Sequence, residues 1–595
     1  MKKLLLLSTL FFGVLTMYAQ ECLMVPTETR YWDASNTYDG YTLFGTRGTS
    51  YLIDFEGHVI HTWPIGTNPR FTEAGTLLDA VGGNPSNQNT WEELDWNGNI
   101  VWSYTESRSN YHGHHDFEKI FNPKLGDSTF IYIANKDLTS AQCLAAGCDS
   151  TANYNNPQMD AIVEVNRQGQ VIWEWWFFNH VVQDLYPGKP NYGVVANSPG
   201  KINLNLAGNT VKSDWLHCNS LDYNQDLDMI VINSVHGEFY VIDHGNTFVP
   251  NDSAASIALA ATSTGDFKYR FGDPAKYNQG SPPSVETNWD KATAGNKQIG
   301  GAHDIQWIKP GLTGAGHFLV FNNAENLFEL TPQSYIYEIN PYLTSSGSTS
   351  TTFVNPPDAG YTIVNSPNAN LMKEKKNQSK QIVWKYSSKN NGDFYSTIGG
   401  SAQRLPNGNT FICSMNDGHF FEIANDTVVV WEYINPMTRD GIKKVKMDNY
   451  PTYNGVFRAY RYASTVPALA GQNLTAGATM TGATPNYYTP SDLTSIKNDS
   501  YFTPDDLLDQ NYPNPFKYST TIDFEITKPE QISVDIYNFS GSKIKSLVNK
   551  NYPQGKYSLT WDGTNDSGAK VISGMYFYVL KADNKQLSKK MILIK

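Results

Sequence analysis

Tyr51-Leu52-Ile53-Asp54-Phe55-Glu56-Gly57-His58-Val59-Ile60-His61-Thr62-Trp63 reads as a strand, a polar turn and a second strand that ends on tryptophan. The same phrase returns at 92–102, 162–173 and 420–431. Weaker copies end at Trp384 and at Tyr269-Arg270-Phe271, so six ends of one type punctuate the chain: Trp63, Trp102, Trp173, Phe271, Trp384 and Trp431. Four-stranded units that recur with a signature tryptophan predict a β-propeller. The steps are uneven, short from 63 to 102 and long from 271 to 384, so the longer ones must carry loop insertions. In a propeller the strand opening each blade lines a central channel.

Composition agrees with an all-β chain. The 595 residues exceed one ordinary domain. Aromatics at 13 %, with 46 Gly and 30 Pro, suit short strands joined by many turns. With 45 basic and 57 acidic side chains the formal charge is -12, and no long basic run occurs. Nucleic acid and anionic membrane surfaces are therefore poor partners.

Met1-Lys2-Lys3, an apolar run and then Ala19 predict a signal peptide over 1–19, with a propeller over 20–470. No later run approaches the roughly 20 apolar residues that span a bilayer, so no membrane insertion is expected. Five cysteines are an odd number for an oxidising compartment. Cys143 and Cys148 lie close enough in sequence to close a small loop; Cys218 and Cys413 read as buried free thiols. A Thr/Ala/Asn/Ser/Pro-rich stretch, 471–507, reads as a linker. From 508 to 595, alternating strands such as Ile532-Ser533-Val534-Asp535-Ile536-Tyr537 predict a small Ig-like β-sandwich.

Three short segments place a histidine near the inner strand of successive units: His114-His115-Asp116-Phe117, Asp214-Trp215-Leu216-His217-Cys218-Asn219-Ser220 and Gly301-Ala302-His303-Asp304-Ile305. Elsewhere a lone histidine on a strand reads as structural, as at His58, His61, His180 and His317. Asp222-Tyr223-Asn224-Gln225-Asp226-Leu227-Asp228 has alternate acids like a calcium loop but lacks the central glycine and distal glutamate, so a turn is the better reading. Converging imidazoles also suit zinc or copper, although no resident metal or cofactor is required by the reading below.

Ten marks in order, among them His115-Asp116-Phe117, the 214–220 run, Tyr269-Arg270-Phe271-Gly272-Asp273-Pro274, His303-Asp304-Ile305-Gln306-Trp307, Phe321-Asn322-Asn323, the 401–410 run and Phe457-Arg458-Ala459-Tyr460-Arg461-Tyr462, are what the large domain has in common with a known family. Over about 25 to 470 the chain resembles the bacterial arylsulfotransferases, nucleotide-independent enzymes on a six-bladed propeller. The resemblance implies transfer of a sulfuryl group from an aryl sulfate to a phenol through a sulfated histidine. Such a transfer needs a neutral imidazole, donors around the sulfate oxygens and an acid for the departing phenolate. Carried over, it implies catalytic roles for His303, His217 and His115. It also implies substrate contacts from Asn322, Asn323, Arg458, Gln403 and Asn219. Arg458 and Arg461, ascribed to the sixth unit, are three residues apart on a strand and must face opposite ways; Arg458 is the one expected in the channel. At the expected place of a fifth-unit nucleophile the chain reads Gly399-Gly400-Ser401-Ala402-Gln403, with no imidazole. The nucleophile is then His303, His217 or, entering from a turn, His419. A surface propeller that binds a ligand through its channel without turnover is the reading of a different class.

The tail carries Asn511-Tyr512-Pro513-Asn514-Pro515-Phe516, the turn Trp561-Asp562-Gly563, Gly574-Met575-Tyr576 and the end Lys589-Lys590-Met591-Ile592-Leu593-Ile594-Lys595. These resemble the C-terminal sorting domain of type IX secretion cargo, which implies a Gram-negative cell, passage through the type IX machinery, and release or attachment at the cell surface.

Overall fold

The computed structural model describes residues 27–593 apart from 83–84, 153, 207–212, 283–294, 326–332, 365–375, 389–393, 443–453, 486, 488, 491–507, 510, 515, 527, 539–542, 572–573 and 583–584. The expected signal peptide, Cys22 and the later part of the expected linker lie outside the described residues. The chain divides into one unit made of Thr27–Lys443 with Pro451–Tyr487 and a second that includes Tyr488–Lys595.

Among its described residues the first unit holds six antiparallel sheets of four or more strands, the blades of a propeller. Blade 3 is the plain case: Tyr111–Asn122 inside, then Asp127–Asp137, Gln158–Val165 and Val171–Trp176. Blades 4 and 5 open with Cys218–Asn224 and His303–Trp307, and blade 2 with Arg70–Phe71. The ring closes twice. Blade 1 takes its inner strand, Ala459–Tyr462, from the far end of the domain, where it pairs with Tyr41–Thr46. Blade 6, opened by Ser401–Arg404, takes a fifth, outer strand from Glu28–Trp32, which pairs with Val429–Ile434. Two sequence assignments change as a result. Arg458 and Arg461 belong with blade 1 and not a sixth unit, and the Gly399–Gln403 stretch opens blade 6 and not a fifth.

The recurring phrase has a physical reason. Asp54 Oδ1 accepts from the amides of Glu56 and His58 at 3.0 and 2.9 Å, and Gly57 supplies the left-handed turn residue (φ 87°), so the two outer strands return as a tight hairpin. The tryptophan then reaches the hairpin turn of the next blade. Trp63 Nε1 donates to the Asp95 carbonyl at 3.1 Å, Trp102 to Arg167 at 2.9 Å and, across the closure, Trp431 to Phe55 at 2.9 Å. Each indole thus buries an apolar body between blades and satisfies its one donor on the neighbour.

The inner strands are stitched to each other by a second device. Asp116 Oδ2 accepts from the Leu221 amide at 2.9 Å, Asp222 Oδ2 from Trp307 at 2.6 Å and Asp304 Oδ2 from Ala402 at 3.0 Å. Gln403 spans the Arg461 backbone, donating at 3.0 Å and accepting at 2.8 Å. Tyr462 Oη accepts from the Phe71 amide at 3.3 Å, and Arg70 pairs with Asp116 at 2.6 Å. The aspartates beside two of the sequence histidines are therefore blade joints. The expected turn lies between Cys218–Asn224 and Met229–Ser234; Asp228 in it holds His244, while Asp222 binds Lys309 of blade 5.

His244 is a buried cation between blades 3 and 4. Its ring lies 2.6 Å from Asp228 Oδ1 and 2.9 Å from Glu164 Oε2. Burial works against the charge, but the two carboxylates overcome it and lift the imidazole to about 9. A folded value above the unfolded 6.5 means the stabilisation is full below about pH 6.5 and is lost as pH rises through 9. It is expected to be on the order of 3 kcal/mol. Urea unfolding at pH 6 and pH 10 should show a loss in wild type that His244→Gln lacks; equal pH dependence in both would overturn the assignment.

Residues 471–487, read as the start of the linker, lie on the propeller: the Val59 amide donates to the Ala478 carbonyl at 3.0 Å and Tyr487 Oη to Glu56 at 2.7 Å. Cys143 and Cys148 flank the end of a short helix, Ser140–Ala146, as buried free thiols; Cys218 and Cys413 are likewise buried and free. No helix among the described residues is long and apolar enough to cross a membrane.

The second unit is a two-sheet β fold. Glu530–Asn538 and Gly574–Ala582 form the centre of a four-stranded sheet, and Thr520–Ile526 pairs with Gly555–Trp561. Its sequence marks are packing devices: Asn511 donates from its amide side chain to Thr520 at 2.7 Å and from its backbone to Tyr578 Oη at 2.9 Å, and the Phe516 ring stacks edge-on to buried Trp561.

Candidate active site

Of the three histidines of the sequence reading, His217 and His303 sit where the inner strands of blades 4 and 5 begin, and His115 lies within the inner strand of blade 3. At each of these points the strand is bulged: the registers slip between Tyr132 and Ala134, between Cys218 and Ser220, and between His303 and Gln306. His115, His217 and Asp304 take left-handed backbone angles (φ 58°, 46° and 50°), which side-chain-bearing residues rarely adopt. Bulges re-aim side chains, and backbone strain of this kind costs about 1–3 kcal/mol and persists where the surroundings enforce it. The strain falls on the histidine itself in blades 3 and 4 and on the residue after it in blade 5.

His115 and His217 meet, Nε2 to Nε2, at 3.1 Å. That contact can hold one proton. His217 Nδ1 is 2.5 Å from Asp214 Oδ2, an acceptor, so Nδ1 carries hydrogen. Neutral His217 then offers a lone pair at Nε2, which requires His115 to donate from Nε2. That leaves the His115 Nδ1 lone pair buried and without a partner, where the structure has an unpartnered nitrogen. Burial and the neighbouring His114, His217 and His303 hold His115 well below the usual imidazole range, which suits its neutral form. His217, with a side chain 30 % exposed, is the accessible end of the relay.

His303 is set differently. Its Nδ1 lies 2.7 Å from Asn323 Oδ1 and 2.9 Å from the Gly301 carbonyl. The Asn323 amide cannot be turned round, because its nitrogen donates to the carbonyls of Ser396 at 3.0 Å and Gly399 at 2.8 Å. Two acceptors at Nδ1 fix the proton there and leave the lone pair on Nε2. Burial pushes His303 down to about 3, against the hydrogen bond that Nδ1 gives to Asn323 and with help from the Arg458 charge.

The other expected contacts distribute unevenly. Asn323 meets His303 directly. Asn322 accepts from the Gly300 amide at 2.8 Å and keeps a buried, unpartnered Nδ2. Asn219 is spent on the scaffold, donating to the Ala302 carbonyl at 2.8 Å, and Gln403 is taken up by the Arg461 backbone. Arg458 does face inward while Arg461 lies over Phe55, Phe411 and Trp431. Its guanidinium, however, is engaged by Asp116 at 2.8 Å and Asp304 at 3.3 Å. His419 pairs with Glu432 at 2.8 Å on the outer strands of blade 6 and stands apart from this cluster. At the histidine-free stretch, a side chain on Gly400 would come within 2.8 Å of the Phe321 ring, so the backbone there is packed too closely for one. Sequence reasoning passed over Asp214, three residues before His217, and over Asp160, which lies under His114 at 2.9 Å; only the Asp-x-x-His spacing of the first was visible.

A six-bladed propeller whose inner strands present a relay of two imidazoles and a third, tautomer-fixed imidazole is built for nucleophilic and acid–base chemistry. The arylsulfotransferase (ASST) family profile matches residues 46–458, and the chain belongs to that family. A FlgD Ig-like domain matches residues 514–586. No curated protein matches. Among solved structures, a protein of unknown function from Bacteroides caccae is 11 % identical over 71 % of this chain and 99 % of its own, with a TM-score of 0.32. The WD40 domain of Toxoplasma gondii coronin is 8 % identical over 80 % of this chain and 94 % of its own, with a TM-score of 0.30. FlgD of P. aeruginosa is 20 % identical over 13 % of this chain and 59 % of its own, with a TM-score of 0.11.

Proposed function

We propose that the protein is an exported aryl-sulfate sulfotransferase in which His303 is the nucleophile. The observation that carries the reading is the double acceptor at His303 Nδ1, which leaves Nε2 with a free lone pair. Nε2 attacks sulfur, the N–S bond forms as the S–O bond to the aryl group breaks, and the departing phenolate takes the extra proton that the His115–His217 pair carries when singly charged, which leaves the pair neutral. A second phenol gives its proton back to that relay and reverses the steps. Asn322, with its unpartnered Nδ2, is suited to donate to a sulfate oxygen. Incubating the full-length protein with a nitrophenyl sulfate and phenol should release nitrophenolate and yield phenyl sulfate; no release with any aryl sulfate donor would overturn the reading.

Export rests on the sequence: the N-terminal apolar run and the Asn511–Phe516, Trp561–Gly563 and basic-apolar C-terminal marks. In this reading the type IX machinery takes the second unit as its address and delivers the propeller to the cell surface or the medium.

A further inference from the structure

Beside the histidine pair lies a second cluster, which shares with it only Asp214, the acceptor at His217 Nδ1. His114, Asp160 and Asp214 come from three segments: the inner strand of blade 3, its third strand, and the turn leading into blade 4. One nitrogen or oxygen from each falls within 4.8 Å of the other two. Asp160 is fully buried; its Oδ1 takes His114 Nε2 at 2.9 Å and the Cys218 amide at 3.2 Å. Its Oδ2 is buried and takes no N–H or O–H donor; the carboxylate's one further partner is the Cys218 thiol, a weak donor. A carboxylate oxygen left so is costly and calls for an explanation such as a bound ion. Asp214 is accounted for by Asn135 at 2.9 Å and His217 at 2.5 Å. Neither carboxylate meets a lysine or arginine among the described residues; their ion-pair partners are imidazoles.

We propose that His114, Asp160 and Asp214 hold a divalent first-row transition-metal cation. One imidazole with two carboxylates is a donor set that suits Zn(II) and its neighbours, with positions left for water. Ligand bonds of roughly 2.1 Å imply ligand-to-ligand edges of about 3.4 Å in a tetrahedral site; the His114–Asp160 separation is already that short. The cation completes a carboxylate served otherwise by one imidazole, one amide and a thiol, and it balances two carboxylates that meet no lysine or arginine among the described residues. It also lies one carboxylate away from His217, so it places positive charge beside the histidine mouth, where Arg458 is neutralised by Asp116 and Asp304. The other acid–histidine group, Asp54, Glu56 and His58, makes no such claim, because the Asp54 oxygens are occupied by the amides and ring of its own turn.

Metal binding is read without reference to turnover, so its failure and failure of the sulfotransferase reading are separate results. Full-length protein stripped with a chelator is titrated with Zn(II) by calorimetry, and bound zinc is counted after gel filtration. One equivalent is expected, retained in Asp54→Asn and weakened at least tenfold in His114→Ala and in Asp160→Asn. No binding by wild type, or the same equivalent in both variants, overturns the proposal. Because Asp160→Asn could disturb the core, zinc-edge absorption on wild type gives a second reading: imidazole scattering in a shell of nitrogen and oxygen is expected, and a shell without imidazole overturns the site.

Discussion

His303→Ala is expected to lower aryl sulfate turnover by at least about a thousandfold, the scale at which loss of a nucleophile is felt when the rest of a site survives. The size follows from the division of labour in the site. His217 spends its ring nitrogens on Asp214 and His115, and the free lone pair of that couple, on His115 Nδ1, is buried, whereas Nε2 of His303 keeps its lone pair. The depressed basicity of His303, about 3, makes it a weak nucleophile by ordinary standards and a correspondingly good leaving group from a sulfated intermediate. That balance serves a double displacement, in which the same nitrogen must both accept and release the sulfuryl group. It also fixes the sign of the pH dependence: His303 stays neutral until pH falls to about 3, so the acid limb of kcat/KM due to the nucleophile lies near there and not near 6.5. Asn323→Asp puts a carboxylate beside Nδ1 and should move that limb upward by stabilising the imidazolium. Phenolate release by His303→Ala within tenfold of wild type, with folding confirmed by an unchanged melting temperature, would remove His303 from the chemistry.

What could be read in the sequence and what could not divide along physical lines. The blades were legible because their outer hairpins are local: Asp54, Gly57 and Trp63 fall within a dozen residues of one another, and the pattern repeats. The closures were not, since the inner strand of blade 1 and the outer strand of blade 6 come from opposite ends of the domain, and no periodicity signals a partner some four hundred residues away. The histidines stood out by their place in the repeat. Their partners stood out less: Asp160 is an ordinary strand residue whose importance lies in facing another element, and Asn323 was expected to touch substrate, not to fix the His303 ring. Arg458 shows the limit most clearly. Alternation along the strand lets only one of Arg458 and Arg461 face inward, but a single sequence carries no sign that two aspartates from other blades would be waiting for Arg458.

Arg458→Met is therefore expected to act chiefly on stability, lowering it by about 3–5 kcal/mol, the cost of breaking a buried ion pair by removing one partner. The guanidinium reaches Asp116 of blade 3 at 2.8 Å, the Asn219 carbonyl of blade 4 at 2.8 Å and Asp304 of blade 5 at 3.3 Å, while its own strand belongs to blade 1. Asp304 in turn accepts the Ala402 amide of blade 6, and Asp116 the Arg70 side chain of blade 2 at 2.6 Å, so a single buried network touches all six blades. Burial alone would raise Asp116, and Arg458 with Arg70 holds it low instead; Asp304 stays raised because burial dominates there. Removing the arginine strands Asp304 first, since Asp116 keeps Arg70. The sign with pH follows: protonation relieves a stranded carboxylate, so the deficit of Arg458→Met relative to wild type should shrink as pH falls. Asp304→Asn in the same chain should recover part of it. If Arg458 were instead the cation that receives the sulfate ester, its loss would raise KM and leave the urea midpoint within about 1 kcal/mol of wild type. Measuring both on one preparation decides between a propeller locked at its axis by this arginine and a channel that offers it to substrate.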